Sequence, residues 1–182
     1  MDKQSPTINQ LIAMWDIQDS LLQSYRNIFL TSQSIIFAIS VIIASGPKPF
    51  WAFLLFFIGV FMIFYLWIPI CQRRGYDVWF FHLNLLYYEE GKVVIVEDDA
   101  TNSKHKNRIK IFPINTENIN IFRSFKNWQE MNIMERKDFL KNDKNGKLLV
   151  RSKVRTKMEK HLPWAFVVLW GILGLFIIIR VF

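Results

Sequence analysis

Phe50–Ile70, FWAFLLFFIGVFMIFYLWIPI, is 21 residues long and carries no charged side chain. As a helix rising ~1.5 Å per residue it covers ~31 Å, about the hydrocarbon thickness of a bilayer. A helix buried in a soluble core rarely runs this long with apolar residues on every face. The stretch predicts a transmembrane helix, and the rest of the chain has to be arranged around it.

Of the 182 residues, 52% are hydrophobic and 16% aromatic, yet the formal net charge is +8. That combination predicts segregation into apolar spans and a basic aqueous part. With spans present, the basic excess points to an anionic membrane surface rather than to nucleic acid. Cys71 is the single cysteine, so an intrachain disulfide and a cysteine metal cluster are both excluded.

Residues 1–27 read as a cytoplasmic amphipathic N-terminal helix. Ser5 with Pro6, or Thr7 with Gln10 as a capping box, can start it. Leu11, Met14, Trp15, Leu22, Tyr25 and Phe29 recur at helical spacing. Asp2, Asp16 and Asp19 argue against a secretory signal, although IIASG after the apolar run faintly resembles a cleavage site. Residues 28–44 form the first span, 17 residues long and interrupted by polar side chains. Asp19, Arg26, Gln33 and Ser40 lie seven apart, with Asp16, Gln23 and Ala44 close to the same line. On one continuous helix this polar or small stripe runs from the cytosol into the membrane. It faces a helix interface, within or between subunits, or else lines a pore.

SGPKP at 45–49 predicts a tight turn and an antiparallel hairpin with the second span, residues 50–70. Trp51 and Trp67 are placed for the two interfacial aromatic belts, and Pro69 for a kink or register shift at the exit. From Arg73 to His161 there are 19 Lys and Arg against 12 Asp and Glu, whereas the turn has only Lys48. The positive-inside rule then puts residues 71–161, a basic domain, in the cytoplasm and the turn outside. Residues 162–179 are an uncharged third span, with Pro163 suited to a first turn. Gly171 and Gly174 permit close packing but lack GxxxG spacing. Three crossings leave the N-terminus cytoplasmic and the C-terminus on the outer, periplasmic side.

Within the basic domain, Tyr76–Glu90 should continue the second span as a helix stopped by Gly91. Lys92–Val96 and Arg108–Phe112 predict a β-hairpin. Ile119, Phe122, Phe125 and Trp128 recur every three residues and predict a helix; a second follows over 131–140, before a DKNG turn. The fold class is thus an α-helical membrane protein. Three transmembrane helices carry a small, mostly helical insert, α+β if the strand pair forms.

Chemistry-bearing motifs are sparse. His82, His105 and His161 have no metal-ligand spacing, and Glu97, Asp98 and Asp99 lack the spacing and glycine of an EF-hand loop. The sequence contains no P-loop, dinucleotide fingerprint, nucleophile elbow or HExxH helix, so it points to no enzyme, cofactor or metal. The more specific feature is a pair of basic juxtamembrane clusters. Arg73 and Arg74 leave the second span, and Arg151, Lys153, Arg155, Lys157 and Lys160 approach the third. They set topology and are candidates for contact with anionic lipid.

DIQDSLLQSYRNIF (16–29), CQRRGYDVWFFHLNLLYYEEG (71–91) and RTKMEKHLPWAF (155–166) resemble the flanks of the spans in RipA-type bacterial membrane proteins. The resemblance implies a small cytoplasmic-membrane protein forming a ring-like homo-oligomer, octameric in that family. Its implied role lies in envelope maintenance and adaptation inside host cells, with no catalytic residue to transfer. The resulting expectation is an oligomeric inner-membrane scaffold or adaptor, with an unidentified protein as a further partner. A channel or transporter whose pore is lined by the stripe is the competing expectation.

Overall fold

The computed structural model describes residues 7–97, 108–114, 120–146 and 153–181; the side chains of Arg108 and of residues 153–160 are outside this description. Among the described residues the chain is mostly helical, with three helices long and apolar enough to cross a membrane and one two-stranded sheet. Two compact units divide it: Met1–Leu21 with Arg73–Ser152, and Leu22–Gln72 with Lys153–Phe182.

Helix α1 runs unbroken over Ile8–Ser45, 38 residues or ~57 Å. The sequence divides at 27/28 by polarity, but the backbone does not, because nothing between Ile8 and Ser45 breaks a helix. Its start is the Thr7–Gln10 capping box. Thr7 N donates to Gln10 Oε1 at 3.1 Å, and Gln10 N donates to Thr7 Oγ1 at 3.4 Å.

In the unit containing the spans, α2 (Trp51–Phe61) passes through a π-helical segment (Met62–Trp67) into α3 (Ile68–Glu89). Pro69 explains the segment. It offers no N–H and its ring crowds the carbonyl of Tyr65, so the preceding turn widens, and Ile68 N bonds five residues back to Ile63 O. Helix α6 (Lys153–Val181) supplies the third apolar stretch. Its Arg180 Nη1 donates to Ser45 O at 3.0 Å, tying its C-terminal end to the last turn of α1. Trp67 is not an exposed ring on the surface of the spans. It is buried, stacked on Phe29 at 6.0 Å and tilted against Phe166 at 5.4 Å, while Trp164 stays exposed beside Phe64.

In the other unit, α3 ends at Gly91, which takes φ 70 as the left-handed stop anticipated from sequence. The hairpin follows: β1 (Lys92–Glu97) pairs antiparallel with β2 (Arg108–Pro113), Val94 opposite Ile111. Asn120 caps α4 (Ile121–Glu130) and Asn132 caps α5 (Ile133–Asn142). Phe80, Phe81, Val93, Val94, Ile121, Trp128 and Leu140 form the core, with Leu11 contributed by α1. The edge of β1 away from β2 is closed by side chains. Val94 N donates to Asn84 Oδ1, Val96 N to Ser124 Oγ, and Asn127 Nδ2 donates to Val96 O, each at 2.8 Å. Phe122, one of the apolar residues whose spacing predicted α4, is 66% exposed.

Candidate functional site

Two polar constellations stand out, one in each unit. Among the spans, Gln33 of α1 is fully buried. Its Nε2 donates to Gly59 O on α2 at 3.1 Å, and its Oε1 accepts from Trp170 Nε1 on α6 at 2.8 Å. One amide therefore joins all three helices. Gly59 O also accepts from Met62 N at the onset of the π-helical segment. Gly59 is small for a reason: a Cβ there would lie 2.2 Å from Trp170 Cζ2. The indole is further enclosed by edge contacts with Phe37 at 5.3 Å and Phe56 at 6.0 Å. In an apolar solvent an unpaired amide is costly, so a fully satisfied one fixes helix rotation and register.

The stripe is thus taken up unevenly. Ser40 is also buried, with Oγ donating to Ile36 O of its own helix at 2.8 Å. Asp19 and Arg26 are half-buried. From Leu22 onward the buried positions on α1 run Leu22, Phe29, Gln33, Ser40 and Ala44, a seven-four alternation that takes in Gln33 and Ser40 of the stripe.

The second constellation surrounds Asp77 on α3. Asp77 and Arg136 side chains are each 1% exposed, and Arg136 Nη1 donates to Asp77 Oδ1 at 3.2 Å. Arg136 Nε donates to Met131 O at 3.1 Å, and Nη2 to Gln129 O. Gln129 Nε2 donates to Asp77 Oδ2 at 3.2 Å, and Arg74 reaches the same oxygen at 3.6 Å. Arg73 donates to Gln129 O at 3.4 Å. The Arg136 guanidinium lies 5.6 Å from the Trp128 ring. Burial pulls the Arg136 pKa down, Asp77 pushes it back up, and the nearby Arg73 pulls it down again. The arrangement fixes the α4–α5 corner to α3.

Arg73 and Arg74, two of the proposed lipid contacts, therefore belong to this cluster. Arg151 falls outside the described residues. Lys153, Arg155, Lys157 and Lys160 lie on the first turns of α6, with side chains outside the description. His82 packs edge-on to Trp15 at 5.8 Å, His161 is exposed, and Cys71 is buried. Glu97 pairs with Lys110 at 2.6 Å, whereas Asp98, Asp99 and His105 are not described. No group of three or more metal-ligating side chains occurs among the described residues. An open groove of about 610 Å³ is lined by Tyr87, Glu90, Lys92, Phe112 and Asn145, among others. Three of its polar groups bond to each other: Asn145 and Lys92 both donate to Glu90, holding that carboxyl below its ordinary pKa.

Sequence reasoning missed Trp170, Gly59, Asp77 and Arg136. Trp170 carried a signal, because a tryptophan in mid-span is away from the interfacial belts the residue favours and requires an acceptor. No protein-family model, no curated protein and no solved structure matches the chain.

Proposed function

We propose that the chain is a homo-oligomeric multi-pass scaffold of a bacterial cytoplasmic membrane, presenting the basic domain as a cytoplasmic platform to a protein partner. The observation that carries this reading is the enclosure of Gln33. The most polar group of the spans bonds within the chain to Gly59 and Trp170, as suits a fixed anchor. Outward-facing residues such as Ile28, Ile35, Ile42, Leu54, Phe57, Ile172 and Ile179 are apolar and suited to lipid or to a second copy.

Orientation follows from two supports. Arg180 meets Ser45, so the end of α6 lies by the turn that carries only Lys48. The basic surplus lies in residues 71–161. By the positive-inside rule the N-terminus and basic domain are cytoplasmic and the C-terminus is periplasmic. The likeness of the span flanks to RipA-type proteins adds a ring-like assembly, octameric by that likeness, and a role in envelope maintenance and adaptation to the host cell interior. No catalytic step belongs to this reading.

The test is particle mass in lipid nanodiscs together with ion flux in reconstituted vesicles. A multi-copy particle with no flux above empty vesicles is expected. A monomer overturns the assembly, and flux that falls on Gln33 or Ser40 substitution replaces the scaffold with the pore.

A further inference from the structure

Among the described residues, Asp77 is the one carboxylate that pairs with the guanidinium groups gathered around it. Its carboxylate is shared by Arg136 at 3.2 Å and Arg74 at 3.6 Å. The third guanidinium, Arg73, holds the Gln129 carbonyl at 3.4 Å; it acts on Asp77 only through space and forms no ion pair among the described residues. Gln129 O already accepts from Arg136 Nη2, so Arg73 and Arg136 converge on one carbonyl and repel each other there. Arg73 itself is exposed, with the remainder of its donor fork open to an incoming anion.

Position identifies the anion. Arg73 lies three residues past Ile70, the end of the uncharged stretch, on the same continuous helix. Three residues of helix rise ~4.5 Å, which is headgroup depth beyond the hydrocarbon edge. The half-buried Tyr76 and Trp79, in edge contact at 5.3 Å, follow within two turns, and such amphipathic rings suit the interface. We propose that the phosphate of an anionic phospholipid seats on the Arg73 guanidinium beside Arg74, adding negative charge beside the Asp77 cluster. The site rests on the cytoplasmic orientation proposed above. A guanidinium fork matches phosphate bidentately, so the contact is geometric as well as electrostatic.

Wild-type protein, R73Q, R73K and K126Q are reconstituted into phosphatidylcholine nanodiscs with and without phosphatidylglycerol. Retained lipid is counted by native mass spectrometry after release, and melting is followed in parallel. Lys126 is the control, an exposed lysine of α4 paired with Glu130. Wild type should retain phosphatidylglycerol and melt higher with it, and R73Q should retain it about tenfold less tightly. R73K, which keeps the charge and loses the fork, should fall between them, and K126Q should match wild type. Retention by R73Q equal to wild type overturns the site, as does an equal loss in K126Q, which would mark diffuse surface attraction. Inorganic phosphate that raises the melting point as much as phosphatidylglycerol would overturn the lipid assignment in favour of a soluble anion. Particle mass in the same spectra reports the assembly separately, so failure of the scaffold and failure of the lipid site give different results.

Discussion

Trp170 Nε1 donates to Gln33 Oε1 at 2.8 Å across 137 positions of sequence, and both side chains are fully buried among the spans. The same amide's Nε2 bonds Gly59 O, so two residues and one carbonyl set the mutual rotation of three helices. Gln33→Leu keeps the volume and removes both bonds, leaving the indole N–H without its acceptor and the Gly59 carbonyl with Met62 N alone. Interhelical hydrogen bonds in membranes are worth ~0.6–2 kcal/mol each. A loss of ~1–4 kcal/mol is expected, read as unfolding by SDS titration in bicelles. Wild-type stability in Gln33→Leu would mean that the amide does not hold the helices.

Gly59 and Trp170 form a size-matched pair. Gly59→Ala puts a Cβ at 2.2 Å from Trp170 Cζ2, and the indole is hemmed in by Phe37 and Phe56. Overpacking of this kind costs ~1–3 kcal/mol. Trp170→Phe frees space at the price of the Gln33 bond. The double variant should therefore be more stable than the sum of the single losses implies. Strict additivity in that double-mutant cycle would show that the two side chains do not press on each other.

Much of this was legible in the sequence. The spans, the run of the second helix to Gly91, the Thr7–Gln10 box and the hairpin follow from local pattern, and local pattern is what a sequence records. Seven-residue spacing placed Gln33 and Ser40 on one face of α1, but spacing states which face, not what that face meets. Trp170, Gly59 and Arg136 are distant in sequence from their partners, so only the fold brings them together. The exposure of Phe122 on α4 has a simple cause. Ile119, Phe122, Phe125 and Trp128 are spaced by three, and at ~3.6 residues per turn a nine-residue run turns ~900°, ending on the opposite side. The helix instead buries Ile121, Ser124 and Trp128.

Asp77 and Arg136 stand or fall together. Asp77→Leu strands a buried guanidinium and Arg136→Met strands a buried carboxylate, each at ~3–5 kcal/mol. The double replacement removes both charges and should cost less than the two losses added. It should not return to wild type, because the carbonyls of Met131 and Gln129 lose the donor that Arg136 supplies. Tryptophan fluorescence during denaturant titration gives the four stabilities. A double variant as damaged as the sum would show that the charges contribute independently.

Asn84 tests whether a side chain can stand in for a missing strand. It lies on α3, donates to Phe80 O at 3.0 Å, and accepts from Val94 N at 2.8 Å where a third strand would otherwise pair. Asn84→Ala leaves the Val94 amide buried and unsatisfied, at ~1–3 kcal/mol. Val93 and Val94 are both in register with β2, opposite Phe112 and Ile111, but the Val94 N–H points away from it to Asn84. The variant should speed hydrogen exchange at Val94 more than at Val93, since only the former loses its acceptor. Equal acceleration at both amides would indicate loosening of the whole hairpin, and no acceleration at Val94 would show that Asn84 is not its acceptor in solution.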